Sequence, residues 1–122
     1  MSHYRKDVGQ WGEDIACRYL SDLGYKIIQR NYYTRYGEID IVSRFGEQTV
    51  FIEVKTRTTQ SYGLPEESIT EKKQQNLINA ALIYMSSHAE NRDAWQIDVI
   101  TVEGQYLSTE PMITHFQNAV GQ

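Results

Sequence analysis

Gly37-Glu38-Ile39-Asp40-Ile41-Val42-Ser43-Arg44, then a Phe45-Gly46-Glu47 break, then Thr49-Val50-Phe51-Ile52-Glu53-Val54-Lys55-Thr56-Arg57 is the passage whose reading decides the fold. Both runs alternate as strands do. In the first, Ile39 and Ile41 fall on one face, with Glu38, Asp40 and Val42 on the other. In the second, Val50, Ile52 and Val54 share a face, while Phe51, Glu53, Lys55 and Arg57 share its opposite. So short a link predicts a β-hairpin, hence antiparallel pairing. Strands this apolar should be mostly buried, yet each carries charge in its middle. Burial of carboxylates and an ammonium is unfavourable unless they pair or bind metal. The passage is therefore a candidate site as well as a candidate core.

Upstream, Val8, Trp11, Ile15, Tyr19 and Leu23 recur at helix spacing over Tyr4 to Leu23, and Gly24 stands where a left-handed cap is expected. Tyr25 to Tyr33 is rich in β-branched and aromatic residues and reads as a strand. Downstream, Thr58 to Glu67 holds Gly63 and Pro65 and reads as a loop. Ser68-Ile69-Thr70-Glu71 has the form of a capping box for a second helix, whose stripe is Leu77, Ile78, Ala81, Leu82 and Met85. Ala94 to Val102 reads as a strand, and Tyr106 to Phe116 as one more, interrupted by Pro111. Helix, three strands, helix and one or two strands predict an α/β fold with a mixed β-sheet flanked by helices.

The 122 residues suit one domain spanning 1–122, and 40 % hydrophobic with 23 % charged residues excludes a disordered chain. Met1 to Gln10 is too polar for a secretory signal, and the longest apolar stretch, Ala80 to Met85, is too short to span a bilayer. No membrane association is expected. A lone Cys17 excludes an internal disulfide, and its place in the helical pattern suggests packing; both point to a reducing cytoplasm. A net charge of -4 argues against coating nucleic acid through bulk electrostatics. The charge is uneven, however. Residues 26 to 57 hold six bases against four acids, whereas residues 58 to 122 hold three against eight.

Glu53 and Lys55, two apart, project from one face of a strand, and Asp40 can approach them from the neighbouring strand. Carboxylates that hold Mg²⁺ or Mn²⁺ beside one lysine are what phosphodiester hydrolysis requires. The lysine would orient or deprotonate the attacking water and offset charge at phosphorus. A Glu-x-Lys on an exposed strand is ordinarily a solvated pair. Asp40 on the preceding strand, the apolar flanks and the capped helix downstream favour the chemical reading.

This arrangement resembles the PD-(D/E)XK nuclease superfamily. More closely, Gly37-Glu38-Ile39-Asp40, Phe51 to Arg57, Gly63-Leu64-Pro65-Glu66 and Lys73-Gln74 resemble the UPF0102, or YraN-like, family of bacterial proteins. Gly12-Glu13, Arg30-Asn31 and Ile97-Asp98-Val99 fit it too, so the likeness runs from about Gly9 to Thr101. It implies a restriction-endonuclease-like core and a predicted endonuclease similar to archaeal Holliday-junction resolvases. It further implies that Asp40 and Glu53 are metal ligands, Lys55 the catalytic lysine, and Glu13 an acidic position completing the metal site. Glu38 lies on the Asp40 face and ranks below Glu13 as an auxiliary ligand. Where the superfamily name has a proline, this chain has Ile39, which leaves the carboxylate chemistry intact.

Other residues are candidates for nucleic-acid contact. Lys73 and Gln74 open the second helix and could meet phosphates, although a solvated helix surface is the more ordinary reading. Arg57 continues the Glu53 and Lys55 face. Arg30, Arg35, Tyr32, Tyr33 and Tyr36 interleave bases and aromatics before the Asp40 strand, a mixture able to stack and clamp nucleic acid. Asp98 reads as a buried hydrogen-bonding group, and the dispersed His3, His88 and His115 make a zinc site unsupported. The expected function is a Mg²⁺- or Mn²⁺-dependent endonuclease on DNA, with branched or single-stranded forms as candidate substrates and a homodimer suited to two-fold junctions. Its rival is a non-catalytic module of nuclease descent that binds nucleic acid or a repair partner.

Overall fold

Strands with apolar residues on both sides need cover on both faces, and two helices supply it. A computed structural model describes residues 3–58, 69–88 and 94–121. In chain order these form α1 (Tyr4–Asp22), β1 (Lys26–Thr34), β2 (Gly37–Phe45), β3 (Gln48–Arg57), α2 (Glu71–Ser87), β4 (Trp95–Glu103) and β5 (Met112–Phe116). The strands make one sheet of order β1-β2-β3-β4-β5, antiparallel throughout except for the parallel step from β3 to β4. A parallel step needs a long crossover, and α2 lies in it. The mixed α/β sheet flanked by helices is therefore present. Among the described residues no helix is long and apolar enough to cross a membrane.

On one face α1 sets Trp11, Ala16 and Leu20 against Ile41, Val50, Ile52, Ile100 and Val102. On the other, Leu77, Ala80, Ala81 and Tyr84 of α2 meet Ile39, Val42, Phe51, Ile97 and Val99. Each large side chain fully buried this way contributes about 1.5–3 kcal/mol. Cys17 packs beside the α1 core, where burial pushes its thiol pKa up, as suits an unreactive residue.

Element ends follow local chemistry. Gly24, at φ 99°, closes α1 in the left-handed region, and Tyr25 N–H donates to Leu20 O at 3.0 Å. At α2 the expected capping box is corrected. The cap is Thr70, whose hydroxyl accepts from Lys73 N–H at 3.1 Å; the third helical residue is a lysine, so no carboxylate returns the bond. Ser68 and the expected loop from residue 59 onward lie outside the described residues. The final strand is shorter than expected, because Pro111 supplies no N–H to a ladder and β5 begins just after it.

The expected facing of β2 is also corrected. Ile41 enters the α1 core, whereas Ile39, two residues away, enters the α2 core together with Val42. Their β1 partners switch in step. Arg30, opposite Ile41, reaches Glu13 of α1, and Tyr32, opposite Ile39, packs edge-on against Tyr84 of α2. A regular strand keeps residues two apart on one face. Both strands therefore invert between these pairs, at Asn31 and Asp40, and Asn31 adopts φ 55°. At the same level β2 and β3 part company. Their last pair is Ile41 with Ile52, although β2 follows β1 to Gly37 and β3 follows β4 to Arg57. The sheet forks there.

Candidate functional site

The fork collects carboxylates from two elements. Glu13 comes from α1, and Glu38 and Asp40 from β2; one oxygen of each lies within 4.8 Å of the others. The Glu13 side chain is 15 % exposed against 51 % for neighbouring Asp14, so Glu13 is turned inward and is not a plain solvated helix carboxylate. Gly12 makes this approach possible: a Cβ there would stand 1.9 Å from Thr56 Oγ1 of β3. Asp40 reaches across the fork, its Oδ2 accepting Val54 N–H at 2.8 Å where a ladder bond would otherwise be.

Burial pushes Asp40 up to a pKa of about 8; Glu53, Glu13 and Glu38 push the same way, and the Val54 N–H opposes them. Glu53 of β3 is raised by burial as well, against the pull of Lys73 and Lys55. Its Oε2 lies 3.2 Å from Lys73 Nζ. Lys73 thus reaches the site, which corrects the reading of it as a solvated helix surface. Tyr36, Glu38, Asp40, Glu53 and Lys73 line a cleft of about 250 Å³.

Asp40 and Glu53 are thus brought together, and Lys55 is near enough to Glu53 to lower its pKa. The close trio, however, contains Glu38, which sequence reasoning ranked below Glu13, while Glu53 stands beside it, paired with Lys73. Of the phosphate-contact candidates, Arg35 lies over the ring of the cleft-lining Tyr36 at 5.1 Å. Arg57 is half-buried at the end of β3. Gln74 is engaged elsewhere, donating to Ile69 O at 3.1 Å. Arg30 is paired with Glu13 at 3.3 Å and Asp14 at 2.9 Å, and Tyr32 is partly buried against the α2 core.

One participant went unassigned from sequence. Asn31 Nδ2 donates to both oxygens of Glu13 at 3.3 Å and also to Glu38 Oε2. Only its place beside Arg30 in the family-like pattern pointed to it. Asp98, by contrast, is the buried hydrogen-bonding group expected, held by Gln96, His115 and the Asn118 N–H.

The donor set is all oxygen and all anionic, with a buried carboxyl crowded by like charges. Such a set fits a hard divalent cation of the Mg²⁺ or Mn²⁺ type and does not suit soft or nitrogen-seeking metals.

The chain matches the profile of "Uncharacterised protein family UPF0102" over residues 12–102. It is 40 % identical to a UPF0102 protein of Dehalococcoides mccartyi, covering 100 % of this chain and 99 % of that one. It is 43 % identical to a UPF0102 protein of Geobacter sulfurreducens, covering 97 % and 91 %. With a UPF0102 protein of Syntrophomonas wolfei the identity is 42 %, covering 80 % and 84 %. Among solved structures, SfsA of Pyrococcus furiosus in complex with Ca²⁺ aligns at TM-score 0.42 and 14 % identity. That alignment covers 98 % of this chain, which spans 65 % of that protein's length.

Proposed function

The chain belongs to the family UPF0102, and we propose that its forked acidic site makes it a metal-dependent endonuclease hydrolysing DNA phosphodiester bonds, built as one domain. The observation that carries this reading is the convergence of Glu13, Glu38 and Asp40 oxygens within 4.8 Å, next to Glu53 and Lys55. Carboxylates so placed repel one another, and a cation relieves what a proton on Asp40 otherwise must.

Glu13, Glu38 and Asp40 would hold Mg²⁺ or Mn²⁺, with Glu53 joining as its bond to Lys73 loosens. Bound there, the cation would neutralise phosphate charge and make water easier to deprotonate. Lys55 Nζ donates toward a phosphate oxygen and orients the attacking water opposite the leaving oxygen. Lys73, once parted from Glu53, offers its ammonium to the phosphate on the cleft side. Arg35, stacked on the cleft-lining Tyr36, adds a cation near the site, and Arg57 extends the cationic run of β3. With a net charge of -4, contact with DNA is local and metal-assisted. Branched or single-stranded DNA, a homodimer on two-fold junctions and a cytoplasmic setting fit this chemistry.

Purified protein with Mg²⁺ or Mn²⁺ is to be tested on duplex, single-stranded and four-way-junction DNA. Cleavage should be lost in Asp40→Ala, Glu53→Ala and Lys55→Ala, each of which still binds DNA. Cleavage unchanged by all three substitutions sinks the assignment. Binding without cleavage under every metal favours the non-catalytic binding module instead.

A further inference from the structure

The hydrolytic reading leaves one side chain at the centre of the acidic site without a task. We propose that Asn31 is the positioning residue of this site: its carboxamide ties Glu13 of α1 to Glu38 of β2 and presets the spacing at which a divalent cation binds. The inference rests on the metal-dependent reading above.

Three observations support it. First, Asn31 sits where β1 inverts, at φ 55°, between the pairs Arg30–Ile41 and Tyr32–Ile39. Among residues with a side chain, asparagine tolerates that left-handed conformation best. The backbone need and the polar need thus meet in one residue. Second, its amide group has two hydrogens and serves two carboxylates, Glu13 and Glu38, from separate elements. Nothing else described bonds both. Third, the donor is neutral. A lysine at this place would hold the same carboxylates together by cancelling their charge, and so remove the attraction for a cation. An amide gathers the anions and leaves their field intact. Arg30, the charged neighbour, also bonds Glu13 but pairs with Asp14 on the outer side.

Asn31→Gly is the informative variant, because glycine accepts the left-handed backbone and removes only the carboxamide. Mn²⁺ is titrated into wild type and variant without DNA, with free Mn²⁺ followed by its paramagnetic resonance signal. The variant should bind about 10–100-fold more weakly, as is usual when a group orienting a metal ligand is lost. Half-maximal cleavage should need correspondingly more Mn²⁺, with the rate recovering at saturation. In a Glu13→Gln background the same substitution should weaken Mn²⁺ binding by a smaller factor, because its partner is already altered. Equal Mn²⁺ affinity in wild type and Asn31→Gly overturns this inference and leaves the functional reading standing. A wild type that binds no Mn²⁺ overturns the functional reading and this inference with it.

Discussion

Asp40 and Asp98 stand in near-identical local sequence, Ile39-Asp40-Ile41 and Ile97-Asp98-Val99, on strands of one sheet, and the fold treats them in opposite ways. Asp98 is 0 % exposed and surrounded by donors. Gln96 Nε2, Asn118 N–H and His115 Nε2 each lie 2.8 Å from its oxygens. With His115 Nε2–H turned to the carboxylate, its Nδ1 accepts the Tyr19 hydroxyl at 3.0 Å. Asp40 has the Val54 N–H and faces Glu53, Glu13 and Glu38. A buried carboxylate saturated with donors closes a structure; one starved of donors and crowded by its own kind has room for a cation.

The widest separation of the two should come from removing each charge. Asp40→Asn should lower cleavage by about 10³-fold or more while the protein stays folded, measured as single-turnover rate beside the circular-dichroism melt. Asp98→Ala should do the reverse. It leaves His115, Gln96 and the Asn118 N–H without their acceptor, and should cost about 3–5 kcal/mol in urea unfolding. Mn²⁺ affinity of its folded fraction should be retained. If Asp98→Ala instead spared stability and abolished cleavage, the roles of the two aspartates would be inverted.

A smaller effect is expected one layer out. Gly12→Ala must push α1 away from Thr56, and overpacking of this kind costs about 1–3 kcal/mol. Because Glu13 moves with α1, Mn²⁺ binding should weaken too; intact binding would separate the helix position from the site. The mildest test uses pH. Asp40 is raised from 3.8 to about 8, so between those values the folded protein keeps a proton that the unfolded chain releases. Stability from this group is therefore full below the ordinary aspartate range and is lost as pH rises through about 8. Metal-free Asp40→Asn should lack that decline and melt higher than wild type at pH 8–9. Mn²⁺ affinity of wild type should climb over the same range. A melting profile with the same slope in both proteins would show that Asp40 is not crowded as the fork implies.

Much of the molecule is legible without coordinates. Val8 and Trp11 mark the buried side of α1, and Gly24 its end, because helix period and left-handed caps are local properties; beyond them Ala16 and Leu20 face the core, while Ile15 and Tyr19 are half-buried and Leu23 is exposed. The alternation of β3 is likewise local, and it sets Phe51 with Glu53 and Val50 with Ile52. In β2 the same reasoning misassigns Ile39. Alternation presumes an unbroken strand, and the break is a paired event in which Asn31 and Asp40 invert together. The Lys73–Glu53 pair was out of reach for a similar reason, since the residues are twenty apart and meet only through the crossover.

By itself, then, the sequence determined the elements and the alternation of β3, and it singled out Asp40, Glu53 and Lys55 as candidates, all matters of neighbouring residues and period. The tertiary structure alone decided that the sheet forks beyond Ile41 and Ile52. It also decided that Glu13 and Glu38 join Asp40 there, and that Asp40 has the Val54 N–H where Asp98 has three partners. The physical reason is that a carboxylate's behaviour depends on donors, charges and water arriving from distant parts of the chain, and no local pattern carries that information.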